Sequence, residues 1–384
     1  MAARAVPAQR AGGPDVLRRG TLTELAQRLE RLKATTKDVV ADTTAVTMSD
    51  DAEIFVPTIG RLPLTPYAHT QLAEKTAIPQ RYYDKMLGAN PALLAQNVNA
   101  WMPTRERRLF RAADGKVRAI LSDKFRAIDN YDVALLVAER AADQGAEVTE
   151  CSLTETRMYL KLSVPGHAEV LGKLTEVQIA EAKRRGLFGP DGRNTHFVRP
   201  DLNEQLTNDW VVPSLTVSNS EVGAGAYRVE PGVRRLVCFN LAVADTALHQ
   251  VHLGARLESG EIDWSAETRR LSDAALASQV KDAIDAVFNR DTFRGMVARM
   301  TAAKEVAIEQ PVDVTEAVSV KLGLSDDRKQ ALLRYFAIEG YTAFGMGQAV
   351  ARLAQDAEGA DDQVELERQA GIIIAKPDEV LALA

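Results

Sequence analysis

Residues 214–240 read SLTVSNSEVGAGAYRVEPGVRRLVCFN, and the Pro-Gly pair in this stretch decides how the middle of the chain folds. Pro231 presets φ for the second position of a tight turn, and Gly232 tolerates the positive φ of the third. The pair therefore predicts a hairpin. In a two-residue hairpin Arg228 lies directly opposite Arg235, a like-charge pair that is destabilising unless an anion binds both. A longer loop, which is the alternative, moves the two arginines apart.

The sequence on both sides of this hairpin switches between strand and helix patterns. Alternation of polar and apolar residues predicts strands, and recurrence at helical spacing predicts helices. The predicted strands are 146–152, 156–164, 210–218, 226–230 and 233–239, and the predicted helices among them are 131–143 and 168–186. From 265 onwards the pattern is helical. We therefore expect an α+β fold with an antiparallel, hairpin-rich central sheet, a helical N-terminal subdomain and a helical C-terminal region.

Helix start signals define the N-terminal subdomain. Thr21 and Glu24 form a capping-box pair, and prolines at positions 66, 79 and 91 suit the first turn of a helix. These signals predict a mobile arm over 1–20, a helical subdomain over 21–100, an α+β core over 101–260 and a helical region over 261–384. The segment 64–87 also has the outline of a helix-turn-helix, although its second helix lacks the basic and polar face of a recognition helix.

Charge is distributed unevenly along the 384 residues, whose formal net charge is −6. Residues 101–128 contain eight basic and three acidic side chains, whereas residues 355–384 contain eight acidic and two basic ones. The net charge argues against a general coat for nucleic acid but leaves room for a local basic surface.

Cysteine content and hydropathy indicate the cellular setting. Two cysteines, Cys151 and Cys238, give no disulfide framework in a chain of this length, and no charged-then-apolar leader opens the sequence. No apolar run reaches the ~20 residues that a membrane span needs. We expect a cytoplasmic protein that does not associate with membranes.

Basic residues recur at alternate positions of residues 116–128, on one side of the strands predicted there. This basic stripe and the arginine-rich hairpin suit the phosphates of a nucleic acid, and neighbouring aromatic rings could stack on unpaired bases. The predicted nucleic-acid-binding residues are Arg108, Phe110, Lys116, Arg118, Lys124, Arg126, Tyr227, Arg228, Arg234 and Arg235. The alternative is that carboxylates, including those of the acidic C-terminal segment, neutralise the same arginines.

Motifs for catalysis or cofactor binding are weak. The stretch VGAGAYR lacks the third glycine of a dinucleotide loop, and no phosphate loop or nucleophile elbow is present. His249 and His252 could face one metal ion if they lay on a helix, but they lack a convincing third ligand. We therefore predict no cofactor, with a metal-dependent hydrolase using these two histidines as an alternative.

Four blocks of sequence resemble the phage- and plasmid-associated domain-of-unknown-function family numbered 932. The blocks are LTPYAHTQLAEKTAIPQRYYDKML, VRAILSDKFRAIDNYDV, VVPSLTVSNSEVGAGAYRVEPGVRRLVCFNLAV, and TAFGMGQAVARLAQ with the later ELERQAG. The resemblance implies a setting in mobile elements and no catalytic residue. A looser similarity links the chain to single-strand annealing proteins, which place a hairpin sheet and a following helix along a basic groove.

These patterns together predict a non-enzymatic DNA-binding protein of phage or plasmid type, with single-stranded DNA as the favoured ligand. A homo-oligomeric or protein-binding scaffold of a mobile element is the alternative.

Overall fold

The computed structural model describes residues 17–102, 106–125, 128–187, 208–236, 241–243, 248–250 and 266–382. The strands are β1 (Leu17–Gly20), β2 (Lys37–Asp42), β3 (Thr47–Met48), β4 (Ile54–Val56), β5 (Gly60–Leu62), β6 (Arg107–Ala113), β7 (Lys116–Ser122), β8 (Glu147–Leu153), β9 (Met158–Ser163), β10 (Glu169–Lys173), β11 (Asn208–Asn219), β12 (Tyr227–Arg235), β13 (Leu241–Val243) and β14 (Leu248–Gln250). The α-helices are α1 (Leu22–Thr35), α2 (Pro66–Lys75), α3 (Gln80–Ala89), α4 (Pro91–Trp101), α5 (Asn130–Asp143), α6 (Glu176–Arg184), α7 (Ala266–Phe288), α8 (Arg290–Glu305), α9 (Pro311–Leu322), α10 (Asp326–Glu339), α11 (Ala343–Gln355), α12 (Ala360–Ala375) and α13 (Pro377–Leu381).

Three antiparallel sheets organise these elements. The largest has eight strands in the order β1-β8-β9-β11-β12-β13, with β10 also paired to β11 and β14 also paired to β12. Two smaller sheets have the orders β2-β6-β7 and β3-β4-β5. The predicted α+β fold with an antiparallel central sheet is confirmed.

Helix boundaries follow the signals in the sequence. Thr21 and Glu24 form the capping box of α1, α2 begins at Pro66 and α4 begins at Pro91. Pro79 is the N-cap of α3, and Asn90 caps α4 through a side-chain bond to the Leu93 amide. These ends are set locally, because each cap supplies a partner for an amide that has none within the helix.

One face of the eight-stranded sheet forms an apolar core with α1, α5 and α7. Across four neighbouring strands, one row of this face reads Cys151, Leu160, Val217, Val229. Leu29, Val137 and Ile284 of the three helices are buried in the same cluster. Burial raises the pKa of the Cys151 thiol to about 12, so this cysteine is a core residue rather than a nucleophile.

A second core lies between the β2-β6-β7 sheet and helices α2, α3 and α4. It includes Leu72, Tyr83 and Leu94 from the helices and Phe110 and Ile120 from the sheet. The helical N-terminal part therefore shares its core with β6 and β7, which lie beyond the boundary at residue 100 that the sequence suggests.

The C-terminal helices build a third core around α11. Residues 343–354 of α11 are all buried, and Phe336 and Val350 lie in a cluster contributed by α9 to α12. Phe293 and Met296 of α8 pack on Val211 and Val233 of the large sheet, together with Phe344 of α11. Helix α8 thus joins the C-terminal helices to the sheet through apolar contacts.

The predicted hairpin at Pro231-Gly232 is wrong, because β12 runs straight through both residues. Eight consecutive residues of β12 pair with β11 without a register shift, and Pro231 lies opposite Leu215. On its other side β12 pairs with β14 up to Val229 and with β13 from Gly232 onwards. Pro231, which has no amide hydrogen, therefore occupies a gap between two described neighbours, where a sheet tolerates proline.

Two other expectations need correction. Residues 17–20, expected in the mobile arm, form β1, whose Leu17 is buried in the apolar core. Residues 169–173, expected in a helix, form β10, because Leu171 is buried against α8 and the strand pairs with β11. Among the described residues, no helix has both the length and the apolar character needed to cross a membrane.

Candidate functional site

Arg228 and Arg235, which the predicted hairpin would place side by side around a bound anion, lie on opposite faces of the large sheet. Arg228 and Arg235 are seven positions apart in one regular strand, and side chains alternate between faces along a strand. Arg235 is 1% exposed and lies 2.6 Å from Asp209 and 2.5 Å from Glu339. The prediction that Arg228 and Arg235 bind one anion together is therefore wrong, because Arg235 forms salt bridges with two carboxylates inside the fold.

The predicted basic stripe is also divided. Arg118 is buried against Glu221 at 3.1 Å, whereas Lys116 and Lys124 are exposed. Arg118 stands at a bulge in β7, since Arg111 pairs with Ala119 and the next residue of β6 pairs with Val117. Arg126 lies outside the described residues. Internal carboxylates, the alternative that the sequence left open, neutralise the central member of the stripe.

The remaining predicted residues have structural surroundings. Arg108 pairs with Glu106, Phe110 is 1% exposed in the second core, and Tyr227 is buried in the apolar core. Neither aromatic ring offers a free face for stacking. Arg234 is half-buried, on the side of β12 opposite Arg235.

The histidine pair of the metal alternative does not lie on one helix. His249 belongs to strand β14, whose backbone pairs with β12, and His252 lies outside the described residues. Within the described ranges, no group of three or more His, Cys, Asp or Glu side chains could hold a metal ion.

The structure does assemble a polar surface that the sequence analysis did not identify. Two rows of polar side chains cross four strands on the face of the large sheet opposite the apolar core. The rows, which we call the polar face, are Glu150, Lys161, Thr216, Glu230 and Ser152, Tyr159, Ser218, Arg228. Ser163 and Ser214 continue it, with their hydroxyl oxygens 3.4 Å apart.

Helix α12 covers the polar face with side chains of its own charged stripe. Lys161 Nζ lies 2.6 Å from Glu367 Oε1 and 3.2 Å from Glu150 Oε1. Arg368 donates two hydrogen bonds to the Glu230 carboxylate, at 2.6 and 2.7 Å. Glu367 of the acidic C-terminal segment is thus an internal counter-charge for Lys161, a residue outside the predicted arginine set.

Aromatic and amide groups complete the layer between α12 and the sheet. Tyr159 donates a hydrogen bond to Asp361, and its ring packs against Ala360 and Val364. Gln363 Nε2 donates to Glu150 and to Glu367, each at 3.2 Å. The first half of α12 therefore meets the sheet mainly through polar groups.

Several polar atoms in this layer have no hydrogen-bond partner among the described residues. They are Thr216 Oγ1, Ser218 Oγ, Arg228 Nε, Gln363 Oε1 and Glu367 Oε2. An unpaired buried polar atom costs about 1–3 kcal/mol, and native proteins leave few of them. Three of them belong to the sheet and two to α12, so both sides of the layer keep hydrogen-bonding capacity for a further polar partner.

The charges of the two sides of the layer are complementary. The sheet side has four cations, Arg157, Lys161, Arg228 and Arg234, against two carboxylates, Glu150 and Glu230, for a net charge of +2. The α12 side has three carboxylates, Asp361, Glu365 and Glu367, against Arg368, for a net charge of −2. The sheet side is therefore a cationic surface that an acidic helix occupies.

The pKa shifts show that burial in this layer disfavours the charged forms of its ionisable groups. Burial raises the pKa of the Glu367 carboxyl, although the Lys161 ammonium acts in the opposite direction. Burial and the neighbouring Arg368 guanidinium lower the pKa of Arg228, and burial lowers the pKa of Arg234. Charged groups held at such a cost stabilise a fold less well than apolar residues of the same size. The ion pairs between α12 and the polar face are therefore offset in part by the desolvation of their charged groups.

The edges of the polar face are fixed by other arginines. Arg18 and Arg19 of β1 donate to the backbone carbonyls of Ala357 and Gln355, after and at the end of α11. Arg157 donates to the Ala224 carbonyl. A Cβ at Gly225 would lie 2.5 Å from the Arg157 guanidinium, so this glycine of VGAGAYR permits a close contact with an arginine.

A second charged region is a small cleft between α6 and α11, lined by Arg185, Arg235 and Arg352. Arg352 pairs with Glu181, whose pKa Arg184 and Arg352 lower to about 2 against the effect of burial. Two of its three arginines are thus already neutralised internally, so this cleft is a weaker candidate than the polar face.

A local signal for the polar face is present in the sequence. In MYLKLS and SLTVSN, polar residues occupy every second position between apolar ones. The alternation shows one polar side for each strand, but not which strands are neighbours. Only the register places Lys161 beside Thr216 and Thr216 beside Glu230.

Comparison of the chain with protein-family models, with curated proteins and with solved structures found no match. The resemblance to a phage- and plasmid-associated family therefore stays a prediction.

Proposed function

We propose that the protein binds single-stranded DNA on the polar face, without covalent chemistry. The observation that carries this proposal is the cationic sheet surface under α12, with its unpaired polar atoms. Phosphates of a single strand would take the positions that carboxylates of α12 occupy beside Lys161 and Arg228. Affinity of this kind is sequence-independent and falls with salt.

The composition of the face supports a single strand over a duplex. Tyr159, which α12 covers, would offer one aromatic ring in the middle of the face once that helix is displaced, and Ser152, Thr216 and Ser218 would offer hydroxyls beside it. Exposed bases stack on aromatic rings, whereas the bases of a duplex are stacked on each other. The same groups suit an unpaired strand of RNA, which a competition experiment distinguishes from DNA.

The helix pair α2 and α3 is the competing surface for DNA. Helix α3 exposes Arg81, Tyr82 and Lys85, and the turn between the helices spans 76–79. In this alternative, α3 would contact a duplex as the second helix of a helix-turn-helix.

The test is a fluorescence anisotropy titration of labelled single-stranded and duplex DNA at low and high salt. The variant Arg157→Gln with Arg228→Gln should lower the affinity for the single strand and reduce the salt slope by about 0.7 for each lost phosphate contact. The matched control is Arg81→Gln with Lys85→Gln on α3, which removes the same charge and should bind the single strand as the wild type does.

Three results would contradict the proposal. Loss of binding in the α3 variant alone would favour the helix-turn-helix. Equal loss in both variants would indicate general electrostatic attraction. If the wild type binds neither DNA at low salt, a scaffold becomes the better reading, and the exposed Val312 and Val320 of α9, at 63% and 73% exposure, are then the surface to test for self-association.

A further inference from the structure

We infer that the first half of α12, residues 360–367, is a built-in competitor for the polar face, so that its carboxylates and the DNA strand bind the same cations in turn. This inference rests on the proposed function and adds its regulation.

The two halves of α12 have different kinds of contacts. Residues 368–375 contribute Ala370, Ile373 and Ile374 to the apolar clusters around α11 and α8. The first half contributes Asp361, Gln363 and Glu367 to the polar layer, with Val364 as its apolar contact with Tyr159. The second half is thus an apolar anchor. The first half also places Leu366 in the apolar cluster around α11, but its contacts with the sheet are mainly polar ones, which salt and competing anions weaken.

The charge of the first half imitates the charge of a nucleic acid backbone. Asp361 and Glu365 stand one helical turn apart, and Glu367 lies beside Lys161. Glu367 pairs with Lys161, and Asp361 accepts a hydrogen bond from Tyr159. Glu365 pairs with Arg368 and acts on Arg228 through its charge. The phosphates of a strand would compete for these positions on the sheet. A phosphate and the Glu367 carboxylate cannot occupy the same position beside Lys161, so the two bind there in turn.

Release of the first half uncovers Tyr159 on the sheet and Ala360, Val364 and Leu366 on the helix. The apolar contact between the sheet and this half consists of Tyr159, Ala360 and Val364. A strand that stacks a base on Tyr159 would cover this ring again. On the sheet the exchange therefore replaces one set of ionic and aromatic contacts with another of the same kind, and the apolar burial that it gives up on the α11 side is that of Leu366.

The experiment changes only α12 and leaves the sheet cations intact. The variant Asp361→Asn with Glu365→Gln removes two of the three competing charges at partly exposed positions. The control Asp378→Asn with Glu379→Gln removes two exposed acidic charges from α13 and gives the same net charge. Affinity for a labelled oligothymidylate single strand is measured for both variants and the wild type.

We expect the α12 variant to bind the strand about five- to tenfold more tightly than the control, which is the usual scale of coupling between two binding events. In wild-type protein, hydrogen exchange of residues 360–367 should become faster when the strand is added. Both variants should melt at the temperature of the wild type, which would show that the change in affinity is not caused by a loss of folding.

Two failures are distinguishable. If the wild type binds the strand but the two variants bind alike, or if exchange in 360–367 does not accelerate, the competitor is refuted, and the variant Arg157→Gln with Arg228→Gln then decides whether the strand still binds at the polar face. If no protein, including both variants, binds the strand at low salt, the proposed function fails and the competitor fails with it.

Discussion

At the scale of single residues, the arginines of this protein differ by what lies within reach of each side chain. Arg235 holds two carboxylates from distant parts of the chain, Asp209 and Glu339. Arg228, on the opposite face of the same strand, is half-buried and lies 3.8 Å from Glu230. The sequence shows only that the two arginines are seven positions apart. Because β12 continues straight through Pro231, Arg235 points to internal carboxylates and Arg228 lies on the polar face.

This difference predicts unequal effects on stability. Arg235→Gln leaves Asp209 and Glu339 buried without their guanidinium and should lower the free energy of unfolding by about 3–5 kcal/mol. Arg228→Gln should change it by less than ~1 kcal/mol, because Arg368 continues to neutralise Glu230. Urea denaturation of the two variants measures both values, and a similar loss for each would show that Arg228 is also part of the internal ion-pair structure.

At the scale of elements, local signals predict helices well and strand pairing poorly. The caps at Thr21, Thr65 and Asn90 give helix starts because all the interacting atoms lie within a few residues. Pro231 and Gly232 carry an equally strong local turn signal, yet pairing of eight residues with β11 overrides it. Register is set by contacts between segments far apart in the sequence, so it cannot be deduced from a turn propensity alone.

Strand β1 provides a test at this scale. Deleting residues 1–20 removes Leu17 from the apolar core and both arginine contacts to the end of α11, whereas deleting residues 1–16 removes none of these described contacts. The longer deletion should melt at least about 2 °C below the shorter one. Equal melting temperatures by circular dichroism would mean that β1 adds nothing to stability.

At the scale of the whole molecule, the large sheet separates two different environments. Helices α1, α5 and α7 cover its apolar face, and α12 covers its polar face. Composition and hydrophobic patterns predict the α+β architecture, whereas the basic stripe and the hairpin arginines do not form the basic surface expected from them. The location of the cationic surface could not be predicted. Lys161, Thr216 and Arg228 come from three strands, and the sequence of one strand does not show which strands lie beside it.

The central claim is that a single strand of DNA binds the polar face, and photo-cross-linking tests it most directly. A photoreactive single strand is irradiated with wild-type protein, and the linked peptides are identified by mass spectrometry. We predict links within β9 and β12, at or near Tyr159 and Arg228, and fewer links as salt rises. Links confined to α3, around Arg81 and Tyr82, would contradict the account and place the DNA on the helix pair instead.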